Sequence, residues 1–181
     1  MARRSPRAAR RVLPKASAFP IVGIGASAGG LDAFKRLLAG LPEDTGLAFV
    51  LITHLSPTHE SLLPEILSKA TKMPVEQARD GVLVRPNAVY VMPPNASMAV
   101  IKGRLSLVPR TDGRHTMPID FFLRSLAEDR GRRAVAVILS GTASDGTMGV
   151  RAIKAEGGLV FSQDEASAQH GGMPASAAAT G

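Results

Sequence analysis

The first half of the chain alternates short apolar runs with amphipathic stretches. The runs at Ile21–Gly25 and Leu47–Thr53 are almost wholly apolar, which is typical of strands buried on both faces. Leucines recur at helical spacing within Leu31–Leu41 and Glu60–Ala70, which predicts helices that bury one face. A strand–helix order that repeats in this way predicts a parallel sheet with right-handed crossovers.

The second half of the chain interrupts this order with a β-hairpin and then resumes it. The hairpin is predicted because two β-prone runs, Ser97–Ile101 and Arg104–Val108, flank the turn pair Lys102-Gly103. The predicted fold class is α/β, a three-layer, Rossmann-like α/β/α arrangement with a mainly parallel sheet and a short antiparallel hairpin. The other predicted elements are strands at Ala88–Met92, Ala134–Leu139 and Leu159–Ser162, and helices at Pro118–Arg130, Thr147–Glu156 and Pro174–Gly181.

The amino-acid composition argues against several kinds of site and partner. The 181 residues, 45% of them hydrophobic, suit one globular domain. The absence of cysteine excludes a disulfide scaffold, a thiolate metal site and a cysteine nucleophile. The four histidines are scattered without an H-x-x-x-H pair, so we expect no metal. Aromatic residues make up 4% of the chain, which argues against a nucleic acid as partner.

The positive charge is concentrated at the amino terminus. Residues 1–15 contain six of the 22 basic residues and no acidic one, and the rest of the chain carries 16 basic against 15 acidic residues. We therefore predict a basic disordered arm over residues 1–18 and a single domain over residues 19–181. The arm lacks the apolar core of a secretory signal and no transmembrane segment is present, so a cytoplasmic location is expected. The chain ends without a helix cap, which suggests a truncated domain or a fragment of a longer polypeptide.

Three side chains with complementary chemistry follow strands of the predicted sheet. Sites in open parallel sheets form beyond the carboxyl ends of the strands. Ser27 follows the first strand, His54 follows the second, and Asp145 lies in the loop after Ala134–Leu139. A serine, a histidine and a carboxylate at one edge are the three parts that activate a hydroxyl nucleophile.

The loop after the first strand fits two motifs. It matches G-x-S-x-G, a tight turn that exposes the serine, and amides at the start of the next helix could stabilise an oxyanion. From Gly23 to Ala28 it also satisfies G-x-G-x-x-[GA], a dinucleotide-binding pattern. Thr53 and His54 stand where such a site needs an acidic residue for the ribose. The pattern alone therefore leaves three interpretations of this loop: a serine nucleophile, a nucleotide site or a purely structural turn.

The carboxylate has competing interpretations. Asp145 lies just before the predicted helix Thr147–Glu156, so it could instead be the N-cap of that helix. Asp120, inside a predicted helix, and Asp164, after another predicted strand, are alternative partners for a histidine. The order serine, histidine, aspartate along the chain also differs from that of ordinary α/β-hydrolases, in which the acid precedes the histidine.

The histidines also have alternatives. His54 could cap the helix that follows it or pair with Glu60. His170 precedes Gly171-Gly172 and could reach a substrate from its loop, whereas His59 and His115 are expected on the surface.

Several segments together resemble the catalytic domain of chemotaxis protein-glutamate methylesterases of the CheB type. The matching segments are Gly25–Gly30, His54 with Pro57 and Ser61, Tyr90–Asn95, Pro118–Asp120 with Phe122 and Arg124-Ser125, Leu139–Gly146, Gln163-Asp164 and Gly172–Pro174. They run in order from about Ile21 to the last residue. Residues 53–61 resemble the branch found in fusions with a methyltransferase and sensor-kinase parts.

This resemblance implies a serine hydrolase that removes methyl esters from glutamate side chains of chemoreceptors, often with glutamine deamidation, in chemotaxis-like signalling. Carried over by position, Ser27 is the nucleophile, His54 the general base and Asp145 the orienting carboxylate. No metal and no cofactor is required. The implied partners are a methylated chemoreceptor or receptor-like signalling protein, together with a methyltransferase or kinase.

The resemblance also implies the residues that bind the oxyanion and the substrate. These are Ala28, Gly29, Thr142 and Met173. The chain departs from the family where Gly141-Thr142-Ala143 replaces the usual Gly-Met-Gly, and this departure favours an alternative, a catalytically silent signalling module of the same fold. Ala28 also replaces a customary threonine. Nothing that resembles the family's receiver domain precedes Ile21, so control by phosphorylation within this chain is not expected.

Overall fold

A computed structural model of the protein describes residues 19–53, 62–109 and 117–181. Within these residues the strands are β1 (Ile21–Ala26), β2 (Ala48–Thr53), β3 (Val75–Gln77), β4 (Ala88–Val91), β5 (Ala96–Ile101), β6 (Arg104–Pro109), β7 (Ala134–Ile138) and β8 (Leu159–Ser162). The helices are α1 (Gly30–Ala39), α2 (Leu63–Ser68), α3 (Pro118–Arg130), α4 (Thr147–Ala155) and α5 (Gly172–Ala178).

Six of the described strands form one parallel sheet in the order β3-β4-β2-β1-β7-β8. The strands β5 and β6 form a separate antiparallel pair. Lys102 and Gly103 join them with positive φ angles of 51° and 75°, the backbone that tight two-residue hairpins require. The predicted α/β class, the parallel sheet and the hairpin are therefore confirmed.

The core consists of two apolar layers, one on each face of the sheet. On one face Val22 and Ile24 of β1 pack with Phe34 of α1 and with residues of α2. On the other face Ile21 packs in a cluster that includes Phe122 of α3 and residues of α4, α5 and the hairpin. Alternation along β1 thus gives the three-layer arrangement expected for such a sheet.

Two glycines of β1 allow α3 to approach the sheet closely. A Cβ at Gly25 would lie 2.5 Å from Cγ2 of Ile119, and a Cβ at Gly23 would lie 2.7 Å from Cδ2 of Leu123. Both glycines are inside the buried strand and face side chains of α3. A dinucleotide motif needs its glycines in the turn after the strand, facing a pyrophosphate. The packing of α3 therefore explains this G-x-G without a nucleotide.

A few predicted boundaries differ from the structure. The strand β3, three residues long and at the edge of the sheet, was not predicted. The helix predicted over Glu60–Ala70 is described only from Leu63 and ends at Ser68. The last helix begins at Gly172, two residues before the predicted Pro174, which places the proline in its first turn. The basic arm and the polar loop at 111–116 lie outside the described residues.

No helix in the described part of the chain is long and apolar enough to cross a bilayer.

Candidate active site

The loops that carry the candidate residues leave the same edge of the sheet. β1 lies between β2 and β7, and all three strands are parallel. Ala26 at the end of β1 pairs with Thr53 at the end of β2. Ser27 comes directly after Ala26, and His54 comes directly after Thr53. His54 itself lies outside the described residues.

Ser27 occupies the turn between β1 and α1, and both of its backbone polar groups are bonded. Its N–H donates to the carbonyl oxygen of Ser140 at 2.9 Å, and its own carbonyl accepts from the N–H of Gly30 at 2.8 Å. The residue is half-buried. The turn therefore fixes Ser27 against the loop that follows β7 and leaves its side chain partly accessible.

Ser140 connects three of the loops at this edge. Its hydroxyl donates to the carbonyl of Ala28 at 2.8 Å and accepts from the N–H of His170 at 2.9 Å. Its own N–H donates to Oε1 of Gln163 at 2.8 Å. With 1% exposure, Ser140 is a buried residue whose contacts join the loops after β1, β7 and β8. Sequence reasoning missed it, although a small polar residue directly after an apolar strand is the signal for such a role.

The turn after Ser27 requires glycine at its end. Gly29 has a φ of +74°, and a Cβ there would lie 2.7 Å from both Oγ of Ser140 and Oε1 of Gln169, so any other residue would be both strained and crowded. Among the described residues, the N–H groups of Ala28 and Gly29 donate to no acceptor. They lie just before the first residue of α1, where free amides and the helix dipole favour a developing negative charge.

Asp145 is held by the first turn of α3. Its Oδ1 accepts from the N–H of Asp120 at 2.9 Å, and its Oδ2 accepts from the N–H of Ile119 at 3.1 Å. The residue is only 4% exposed. The alternative in which Asp145 is the N-cap of the following helix is wrong, because Gly146 is the N-cap of α4 and the carboxylate of Asp145 accepts from the first turn of α3. Tertiary packing has placed the amino end of α3 within reach of the carboxylate instead.

The two rival carboxylates have other partners. Oδ1 of Asp120 accepts from the N–H of Gly149 in α4 at 2.7 Å, and burial raises the pKa of this carboxyl. Asp164 is exposed and accepts hydrogen bonds from the hydroxyl and the N–H of Ser167, which lower the pKa of Asp164. Asp164 therefore stabilises its own turn, and Asp120 caps the first turn of α4.

Met173 lies beneath the loop rather than at its surface. It is 1% exposed, and a Cβ at Gly141 would overlap its sulfur atom and lie 3.1 Å from Cβ of Ser27. Gly141 thus separates Met173 from Ser27. The N–H of Met173 donates to the carbonyl of Gly141, whose own N–H donates to the carbonyl of His170, both at 2.9 Å. A direct contact of Met173 or His170 with a substrate stays a prediction.

The segment where the chain departs from the family is exposed and partly strained. Thr142 and Ala143 are both exposed. Ala143 has a φ of +66°, a left-handed conformation that is unfavourable for a residue with a Cβ. Thr142 therefore lies on the surface of the loop between Ser140 and Asp145, and its contact with a substrate stays a prediction.

Within the described residues no group of three or more histidine, aspartate and glutamate side chains is arranged to hold a metal ion.

The comparisons with known proteins assign this arrangement to a family. The model of the CheB methylesterase family matches residues 22–181. The chain belongs to the CheB methylesterase family. The fold agrees, because the crystal structure of the CheB methylesterase catalytic domain of Thermotoga maritima superimposes with a TM-score of 0.83 at 29% identity, covering 91% of this chain and 89% of that one.

The curated relatives that this chain matches are about twice its length or longer. A protein-glutamate methylesterase/protein-glutamine glutaminase of Pseudomonas savastanoi is 34% identical over 89% of this chain, which spans 42% of that protein. One of Pseudomonas aeruginosa is also 34% identical, and this chain spans 54% of it. An uncharacterised 104.1 kDa protein of Rhodobacter capsulatus is 44% identical over 66% of this chain, which covers 12% of that large protein.

Proposed function

We propose that this CheB-family chain is a serine hydrolase that removes methyl esters from glutamate side chains of a receptor-type signalling protein. The observation that carries the proposal is the order β2-β1-β7 in a parallel sheet, because the carboxyl ends of these three strands then lie side by side at one edge. Family membership supports the same reaction class. The named Pseudomonas relatives are methylesterases and glutaminases, so γ-amide hydrolysis of glutamine is the natural second reaction.

In this proposal Ser27 is the nucleophile and His54 is the general base. The hydroxyl oxygen of Ser27 attacks the ester carbonyl carbon while its proton passes to the imidazole of His54. The support from the described residues is the pairing of Ala26 with Thr53, since these residues directly precede the two proposed groups.

The oxyanion of the tetrahedral intermediate is assigned to the N–H groups of Ala28 and Gly29. Neither group donates to another described acceptor, so they can bind an oxyanion without breaking an existing bond. As the intermediate collapses, the C–O bond to the methoxy group breaks and methanol leaves with the proton from the imidazole. Water then attacks the glutamyl-enzyme with His54 as base, which releases the glutamate and restores Ser27.

Asp145 is assigned the role of orienting and stabilising the imidazolium of His54. Its support is a carboxylate that is buried and held by two backbone N–H groups, since a fixed, desolvated carboxylate orients a histidine better than a mobile one.

The partners follow from the same reaction. The substrate is a protein whose glutamates carry methyl esters, so a methyltransferase must act on the same side chains. We propose a methylated chemoreceptor or a receptor-like protein as the partner, and the cytoplasm as the place of reaction.

Covalent labelling tests the nucleophile. A fluorophosphonate should form a stable adduct that mass spectrometry locates on Ser27. The variant Ser27→Ala should not be labelled, whereas Ser144→Ala should be labelled like the wild type, because Ser144 is an exposed serine of the β7–α4 loop with no proposed role. A folded wild-type protein that is never labelled at Ser27 would instead be a catalytically silent module.

A further inference from the structure

Two buried carboxylates lie at the edge of the sheet, Asp120 in α3 and Asp145 just before α4. Asp145 accepts hydrogen bonds from the first turn of α3, and Asp120 accepts one from the first turn of α4. Asp145 directly precedes the N-cap of α4, but its carboxylate accepts from the N–H groups of Ile119 and Asp120 in α3. Asp120 belongs to the first turn of α3, but its carboxylate accepts from the N–H of Gly149 in the first turn of α4 at 2.7 Å. The two helices are thus capped reciprocally by each other's aspartate.

These bonds close a ring. From the carboxylate of Asp145 the ring passes to the N–H of Asp120, through the side chain of Asp120 to the N–H of Gly149, and back along four residues of backbone to Asp145. Asp120 therefore contributes to the position of Asp145 in two ways. Its N–H donates to the carboxylate of Asp145, and its side chain holds the first turn of α4, which follows Asp145 in the chain. Loss of the Asp120 acceptor would free the first turn of α4 to move relative to α3.

The ring is buried and contains two carboxyl groups. Asp145 is 4% and Asp120 is 8% exposed, and the charge of Asp145 contributes, after burial, to raising the pKa of Asp120. The N-cap residue of α4 cannot supply a capping side chain, because Gly146 has a φ of +98° and a Cβ there would lie 2.8 Å from Cδ1 of Ile138. Two neighbouring buried carboxylates repel each other, and such arrangements are concentrated at functional sites.

We propose that Asp120 is a positioning residue for the reaction, holding the Asp145 carboxylate in the place from which it orients the imidazole. The proposal rests on the role given to Asp145 in the proposed function. Asp120 makes no contact with the reacting atoms in this account. It acts through Asp145, so its removal should lower kcat and leave KM unchanged, because a small displacement of a catalytic group costs about 10–100-fold in rate.

The test compares Asp120→Ala, which removes the acceptor of the Gly149 N–H, with Asp129→Ala. Asp129 is a matched control in the same helix. Its carboxylate also accepts from a backbone N–H, that of Gly103, and its side chain is 9% exposed, but it lies at the far end of α3. Rates are measured on a chromogenic ester, p-nitrophenyl acetate, and on a peptide with a γ-glutamyl methyl ester. We expect Asp120→Ala to lower kcat about 10–100-fold, and Asp129→Ala to lose stability with unchanged kcat.

A double-mutant cycle separates positioning from general loss of structure. If Asp120 acts through Asp145, then Asp120→Ala should reduce kcat in the wild-type background but cause no further loss in the Asp145→Asn background. An equal fold-loss in both backgrounds, or wild-type kcat in Asp120→Ala, would overturn the proposal. Should Asp120→Ala fail to fold, Asp120→Leu replaces it in the same cycle, because a leucine side chain fills the space of the carboxylate without supplying an acceptor.

The cycle also distinguishes this proposal from the proposed function. Wild-type turnover in Asp145→Asn alone would remove the role of Asp145, and the proposed triad with it. A large loss in Asp145→Asn together with no loss in Asp120→Ala would remove only the positioning role.

Discussion

The backbone N–H of Ser27 donates a 2.9 Å hydrogen bond to the carbonyl oxygen of Ser140. This bond joins the turn that carries the proposed nucleophile to the loop that ends at Asp145. The hydroxyl of Ser140 adds two further bonds, to the carbonyl of Ala28 and from the N–H of His170. The turn that contains Ser27 is therefore held by a buried residue, Ser140, which has no role in the proposed reaction.

Removal of the Ser140 hydroxyl should impair both stability and turnover. In Ser140→Ala the carbonyl of Ala28 and the N–H of His170 lose their partner, which should lower the free energy of unfolding by about 1–3 kcal/mol. The turn around Ser27 should also loosen, so kcat should fall. Urea unfolding and ester hydrolysis measure the two effects.

Ser125→Ala is the control for this substitution. The hydroxyl of Ser125 likewise accepts from a backbone N–H, that of Val100, and donates to a carbonyl, that of Phe122, but it lies in the middle of α3. The variant Ser125→Ala should lose about as much free energy of unfolding as Ser140→Ala, but it should keep the wild-type kcat. Equal losses of kcat in the two variants would show that Ser140 has no particular role at the site.

Gly29→Ala should be more harmful than the same change at a glycine of equal backbone conformation. Gly29 and Gly81 both have a φ of +74°, but only Gly29 has neighbours that an added Cβ would overlap. Both variants should lose about 1–2 kcal/mol from left-handed strain, and Gly29→Ala should lose a further ~1–3 kcal/mol from crowding. It should also react slowly with a fluorophosphonate at Ser27. Equal unfolding free energies for the two variants would contradict the packing described for this turn.

Ala143→Gly should stabilise the protein. The φ of +66° at Ala143 costs about 1–2 kcal/mol, and the greater freedom of glycine in the unfolded chain offsets roughly 0.5–1 kcal/mol of the gain. A net gain of about 0.5–1 kcal/mol is expected, with unchanged turnover because the backbone already adopts this conformation. Lys102→Gly, at an exposed hairpin residue with a φ of 51°, is the control and should gain equally. A loss of stability in Ala143→Gly would disprove the strain.

The buried carboxyl of Asp120 should give stability a characteristic pH dependence. Burial raises the pKa of Asp120 above its ordinary value of 3.8 in the folded protein, so the folded state binds this proton more tightly than the unfolded chain. The contribution of Asp120 to stability must therefore fall as pH rises from 3.8 through the raised folded pKa. The variant Asp120→Asn has no carboxyl group at this position, so its stability lacks this contribution to the pH dependence. Urea unfolding across this range should show the wild type losing stability relative to Asp120→Asn as pH rises, and a constant difference would contradict the shift.

Much of the fold could be predicted because its signals are local. The apolar runs of β1 and β7 and the spacing of leucines in α1 identify buried strands and a helix without knowledge of their neighbours. The strand β3, with the sequence Val-Glu-Gln, has no such signal. It is a strand because it pairs with β4 at the edge of the sheet, which is a tertiary effect.

The chemistry of the site could be predicted only in part. The spacing in the chain identified Ser27 and Asp145 as residues that follow strands of one sheet. The same local reasoning left open that Asp145 caps its own next helix, whereas packing of α3 on α4 brings the amino end of α3 to the carboxylate. The roles of Ser140 and Asp120 depend on such contacts between distant segments, which no local pattern encodes.

The most direct test of the central claim is methanol release from a γ-glutamyl methyl ester by Ser27→Ala, measured beside Ser144→Ala and the wild type. We predict that Ser27→Ala folds normally and loses about 10⁴–10⁶-fold in kcat, while Ser144→Ala matches the wild type. Methanol release by folded Ser27→Ala at the wild-type rate would contradict the assignment of Ser27 as the nucleophile.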